Sequence, residues 1–218
     1  RGGVKKIIQE QFPTSYIHIQ SQRYVIVSAA SELRPDGQSP VQTLHQLLGR
    51  IWKDYPSAHI CLSISKACSS LWHLQKAFRE AKFSMIIGPK LDPHKSIHDF
   101  RSYLLYQALC NCWAAPILEK VHNRLILPIQ KYDAENKLDL LATLEQYAAC
   151  AFNVTRAAEA MQVHRNTLYR RIAKIGAILN LDMNASDTHI LLYIALQIDN
   201  ILGILPQTEK SLSWTLLQ

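Results

Sequence analysis

Glycine is scarce. The 218-residue chain holds 7 glycines, none of them set out as G-x-G-x-x-G or ahead of a Walker-type lysine. Those are the patterns that let a backbone close around phosphates, so the common nucleotide-cradling loops are excluded. Cysteine is scarcer still: Cys61, Cys68, Cys110, Cys112 and Cys150 form an odd set without a spaced framework. That argues for free thiols in a reducing cytoplasm rather than disulfides. Cys110-Asn111-Cys112 has no second Cys or His pair beside it, so no metal site is expected. No apolar run approaches the roughly 20 residues that cross a bilayer, and no secretory signal is visible, so no membrane partner is expected. The histidines are scattered without H-E-x-x-H, and Ser63, Ser65, Ser69 and Ser70 lack the glycines of a nucleophile elbow. No catalytic residue and no cofactor emerge, and the chain is not expected to be an enzyme. An initiating Met is missing too; Arg1-Gly2-Gly3 reads as an internal start, with upstream sequence expected.

What is present is ordinary globular composition, 48% hydrophobic and 19% charged, in a length suited to one or two domains. The net charge of +7 points to a polyanionic partner, but its distribution matters. Residues 1–98 carry 13 Lys/Arg against 6 Asp/Glu, whereas residues 99–218 carry 11 of each. The basic first half reads as a solubilising surface. The informative signal is local.

That signal lies between Asn153 and Leu179. Asn153 is a good N-cap, and Ala157, Ala158 and Met161 fall on one face of a short helix. Gln162-Val163-His164 reads as a turn with Val163 as an apolar plug. A second helix from Arg165 has Leu168, Ile172, Ile175 and Leu179 as its inner stripe. Its outer face carries Arg165, Asn166, Tyr169, Arg170 and Lys174. Small alanines at a close crossing, a tight turn and a basic, amide-bearing outer face make a helix-turn-helix pattern. Arginine can pair with guanine and asparagine with adenine in the major groove, while basic and hydroxyl groups hold phosphates. Arg165, Asn166, Tyr169 and Arg170 are therefore the candidate base-reading residues. Arg156, Thr167, Arg171 and Lys174 are candidate backbone contacts, with Arg171 nearer the inner side, and His164 either reaches a phosphate or closes the turn. The bland alternative is a solvated surface helix.

The run Leu140 to Met183 resembles the C-terminal helix-turn-helix domain of the PucR/CdaR family of bacterial transcriptional regulators. The resemblance rests on Leu141, Thr143, Leu144, Tyr147, Asn153, Ala157, Ala158 and the unbroken Val163-His164-Arg165-Asn166-Thr167-Leu168. Three departures stand out. Phe152 replaces a glycine before Asn153, Met161 replaces a leucine, and Tyr169-Arg170-Arg171 replaces Arg-Tyr-Arg. The resemblance implies double-stranded operator DNA as partner and an upstream sensory domain that answers a small metabolite.

In the first half, Val4 to Phe12 reads as the end of a helix. Tyr16–Gln20 and Arg23–Val27 read as a β-hairpin, Arg34-Pro35-Asp36-Gly37 as a turn, and Val41 to Tyr55 as a helix with Leu44, Leu47, Leu48, Ile51 and Trp52 inward. His59–Ile64 reads as a strand, a helix capped by Ser69 or Ser70 runs to about Ile86, and Lys95–Phe100 closes the sheet. The order implies an α+β sandwich with a largely antiparallel sheet. Placed upstream of the helix-turn-helix, it resembles the family's degenerate GGDEF-like domain. Its hairpin tip, Ser21-Gln22-Arg23, has neither the glycines nor the carboxylates of a cyclase.

From His98 helices dominate: Phe100–Leu109, then one from Pro116 ending near Leu127-Pro128. Lys131–Asn136 reads as a loop in which Asp133 and Glu135 cap helices, and Leu138, Leu141, Leu144 and Ala148 read as the stripe of the next helix. A last helix, Thr188–Leu202, offers Ile190, Leu191, Ile194, Ile198 and Leu202 for packing or dimer contact. The expected organisation is an α+β GGDEF-like domain at 1–98, a helical domain at 99–205 with its helix-turn-helix at 153–175, and a tail at 206–218 in which Leu212, Trp214 and Leu216 alternate. The expected function is sequence-specific DNA binding by a homodimer. The competing expectation is a small-molecule or nucleotide sensor whose helical domain only dimerises.

Overall fold

The computed structural model describes residues 2–20, 23–111 and 117–204. It is mostly helical with small pieces of sheet, and it divides between Leu104 and Leu105 into two compact units.

In the first unit, α1 (Gly2–Gln11) buries Ile7 and Ile8 beside Phe12. They meet the stripe Leu44, Leu47, Leu48 and Ile51 of α2 (Pro40–Asp54), one face of a 3.6-residue period. Ser39 starts α2 with a capping box to Gln42, and Pro40 occupies the first turn, where its missing N–H costs nothing. Trp52, expected inward, is exposed and donates from Nε1 to the Ala58 carbonyl at 3.0 Å. β1 (Tyr16–Gln20) and β2 (Arg23–Val27) form the expected hairpin, in register from Tyr16↔Val27 to Gln20↔Arg23. Its tip residues Ser21 and Gln22 lie outside the described residues.

The sheet is not largely antiparallel. The described strands form two separate pairs, and β3 (Leu62–Ile64) runs parallel to β4 (Ile97–Asp99). The reason is the connection: α3 (Leu74–Leu91), entered through a 3-10 turn at Leu71–His73, carries the chain back to the starting edge, as parallel strands require. α3 packs on both strands. Gly88 faces His98 so closely that a Cβ would sit 2.3 Å from its Nδ1.

The second unit is helical: α4 (Leu104–Asn111, beginning at the boundary), α5 (Ile117–Leu125), α6 (Leu127–Asn136), α7 (Leu140–Ala149), α8 (Val154–Ala160), α9 (Arg165–Leu179) and α10 (Ser186–Ile204). Pro116 and the tail from Leu205 fall outside the described residues. Lys131–Asn136 is helix, not loop. Pro128 sits in the first turn of α6, so it starts a helix there, and the buried pair Ile126 and Ile129 fixes that helix to the core. Lys137, left-handed at φ 52°, ends it. Helix α7 therefore begins later than its apolar pattern suggested. Its buried residues are Leu140, Thr143, Leu144, Tyr147 and Ala148, while Leu138 precedes the helix and is exposed. On α10 the core face is Leu192, Ala195, Leu196, Ile198 and Ile201, and Ile190 and Leu191 are exposed. That helix is apolar nearly all round, so periodicity gave no phase.

Candidate nucleic-acid interface

The interface is built by two helix ends that stop in the same way. Helix α7 ends with Ala151 and Phe152 at φ 54° and 57°, where the Phe152 N–H donates to the Tyr147 carbonyl and the Ala151 N–H to that of Ala148. Helix α8 ends with Gln162 at φ 55°, where the Val163 N–H donates to Ala158 and the Gln162 N–H to Glu159. Both are Schellman terminations, which satisfy the last free carbonyls and turn the chain sharply. Val163 then packs into the core as the plug between helices.

The helix starts are capped as well. Asn153 Oδ1 accepts the Arg156 N–H at 3.0 Å, and His164 Nδ1 accepts the Asn166 N–H at 3.2 Å. His164 thus closes the turn at the head of α9. The cap of α7 comes from a distance: the Asp133 carboxylate accepts the N–H groups of both Leu140 and Leu141 at 2.9 Å.

Helix α9 is pinned by Leu168, Ile172, Ile175 and Gly176, all buried, with Leu179 partly so. Ala157 and Ala158 are buried where α8 crosses it. A Cβ on Gly176 would lie 2.8 Å from Met183 Cγ and 3.1 Å from the Leu181 carbonyl oxygen, so the chain after α9 folds back only over a glycine.

Arg156, His164, Arg165, Asn166, Thr167, Tyr169, Arg170 and Lys174 are all exposed. Among the described residues no acidic side chain pairs with Arg156, Arg165, Arg170 or Lys174. Arg171 differs: it is partly buried, and its Nη1 donates to Thr143 Oγ1 on α7 at 3.1 Å. Lys174 holds its ammonium 4.7 Å from the centre of the Tyr132 ring on α6, within cation–π range. Neither tie was readable in the sequence, because both partners come from helices whose phase or existence the apolar pattern missed.

Residues 140–198 match the family profile described as the PucR C-terminal helix-turn-helix domain. The chain carries a PucR-type helix-turn-helix domain. Along 170 residues it is 25% identical to the carbohydrate diacid regulator of Escherichia coli, covering 76% of this chain and 42% of that protein. It is also 31% identical over 124 residues to an uncharacterised protein of Haemophilus influenzae, covering 56% of this chain and 32% of that one. The chain therefore spans less than half the length of these curated relatives. α7 to α9 and most of α10 fall within the PucR domain.

Among the described residues, no group of three His, Cys, Asp or Glu is placed to hold a metal ion. None of the described helices is long and apolar enough to cross a membrane.

Proposed function

We propose that this chain is the DNA-binding part of a transcriptional regulator and that α9 of its PucR domain enters the major groove. The observation that carries the reading is the outer face of α9. Arg165, Asn166, Tyr169 and Arg170 stand exposed on a helix fixed by buried residues and a capped turn, and among the described residues neither arginine has an ion-pair partner. Arg165 and Asn166 open the helix, where side chains reach base edges most directly. Arg156, Thr167 and Lys174 serve as phosphate contacts. His164 keeps Nδ1 for the cap and offers Nε2 to the backbone, and Arg171 braces α9 against α7 before it serves any phosphate.

Residues 1–98 act in this reading as a GGDEF-like domain without cyclase chemistry, residues 99–205 as the DNA-binding domain and 206–218 as a tail. The protein acts in the cytoplasm as a homodimer on half-sites about one helical turn, ~34 Å, apart. A small metabolite, sensed by a domain outside this chain, sets its activity, and no reaction is catalysed. A second reading, a sensor or dimerisation module that does not touch DNA, draws on the exposed Ile190, Leu191 and Tyr193 of α10.

Retardation of a random-sequence duplex at several salt concentrations separates the two. Binding that weakens steeply with salt supports the first. Absence of binding at low salt, by folded protein, supports the second.

A further inference from the structure

Helix α3 buries one face and leaves an unusual one outside. Its core side is Ala77, Glu80, Phe83, Ser84, Ile87 and Gly88. On the other side Phe78 is 48% exposed and Met85 37%, while Leu71 and Trp72, in the turn leading into the helix, are 82% and 94% exposed. Phe78 and Met85 are seven residues apart within α3 and so share one face, and Leu71 and Trp72 stand in the 3-10 turn just ahead of it. Trp72 sits in an ordered turn, its backbone N–H donating to Ser70 Oγ at 3.3 Å. Two exposed aromatic rings and two long aliphatic or thioether side chains on this face and at its start form the kind of patch that marks an interaction site.

The charge beside the patch has one sign. Lys82 follows Phe78 at i+4 and so stands next to it, with Arg79 one step round the helix. The single acid of α3, Glu80, is buried and accepts the Lys66 N–H at 3.1 Å. Among the described residues neither Arg79 nor Lys82 has an ion-pair partner. A second copy packed on this face about a two-fold axis would set these cations against their own kind. A bilayer surface wants a broad apolar sector, whereas this patch is narrow and bordered by Gln75, Arg79 and Lys82.

We propose that this face of α3 docks an acidic amphipathic helix of another polypeptide. Apolar residues at i, i+3/i+4 and i+7 of the incoming helix pack along Leu71, Phe78 and Met85, as in helix-in-groove recognition. Trp72 is the anchor, and carboxylates at its rim meet Arg79 and Lys82. The surface belongs to the first unit and does not depend on α9.

The test is selection from a displayed library of helical peptides on the immobilised chain. The surviving peptides are then measured against Phe78→Asp and the double variant Arg79→Glu, Lys82→Glu. Enrichment of peptides with an apolar stripe flanked by Asp or Glu is expected. Phe78→Asp should weaken them by about tenfold or more, and the charge-reversed variant should prefer Lys-flanked counterparts. Phe78 and Arg79 are exposed and Lys82 is partly buried, and unchanged circular dichroism and melting show that both variants remain folded. Peptides without acidic bias, or binding indifferent to Phe78→Asp, overturn the proposal. So does Phe78-dependent binding of phosphatidylglycerol vesicles, which would make the face a membrane contact. Phe78-dependent self-association in sedimentation would overturn it as well, in favour of a second copy.

Discussion

Phe152 lies flat on His189, their ring centres 4.3 Å apart and their planes within 3°. Tyr147 meets both rings edge-on, and His189 Nε2 lies 2.8 Å from the Met183 carbonyl oxygen. Phe152 has φ 57°, a conformation that costs a residue with a Cβ about 1–2 kcal/mol and that glycine adopts freely. The stack holds in place a residue whose backbone would prefer to be elsewhere, at the turn that sets α8 against α7.

Phe152→Ala should therefore destabilise the PucR domain more than Phe152→Gly does. Alanine loses the stack and keeps the strain, whereas glycine loses both. Urea unfolding of the two variants checks the order; equal midpoints would show that the left-handed backbone carries no strain.

Asp133 joins α6 to α7 by accepting two N–H groups at once. Asp133→Ala should cost about 1–2 kcal/mol, the upper range for a lost helix cap. Thermal melting is sufficient to detect it, and a shift within error would show that water replaces the carboxylate.

How much of this was legible beforehand differs by element. Helix α9, its inner stripe, the Asn153 cap and the hairpin strands were readable because each rests on local periodicity or on one capping residue. The Phe152–Asn153 junction was visible only as a departure, a bulky residue where a glycine was expected, and its compensation by His189 lies on a helix far along the chain. Helix α6 was hidden by its polar composition, and with it went Tyr132 beneath Lys174 and the true phase of α7. The parallel pairing of β3 and β4 is a tertiary consequence of where α3 returns the chain, which a strand pattern does not encode.

The first unit should be acid-sensitive at Asp92. Burial pushes its carboxyl up, but hydrogen bonds from Lys95 Nζ at 3.0 Å and Tyr103 OH at 3.1 Å outweigh that and hold it below the ordinary range. A depressed carboxyl contributes stability above its unfolded value, ~3.9, and loses it as pH falls through the folded value. Asp92→Asn should lower stability at neutral pH and flatten the decline below about pH 4. Urea midpoints across pH 7 to 3 test this, and an unchanged acid slope would contradict it. Glu145 of the second unit runs the other way: burial and the charge of Asp199 raise its carboxyl, so its penalty is relieved on acidification.

Leu168 is fully buried at the centre of the PucR core. Leu168→Ala should cost roughly 2–5 kcal/mol through the cavity it leaves. Arg165→Ala, on the exposed side of the same helix, should leave the melting temperature nearly unchanged. If both melted alike, the division of α9 into an inner and an outer face would be wrong.

The most direct test of the central claim is duplex affinity over a range of salt concentrations, on the operator and on scrambled DNA, for Arg165→Ala and Lys174→Ala. Arg165→Ala should cost about 1–3 kcal/mol on the operator and relax preference at one base pair. Lys174→Ala should weaken all sequences alike and lower the salt slope by roughly one unit. Folded Arg165→Ala protein that kept both its affinity and its base preference would show that α9 is not the reading helix.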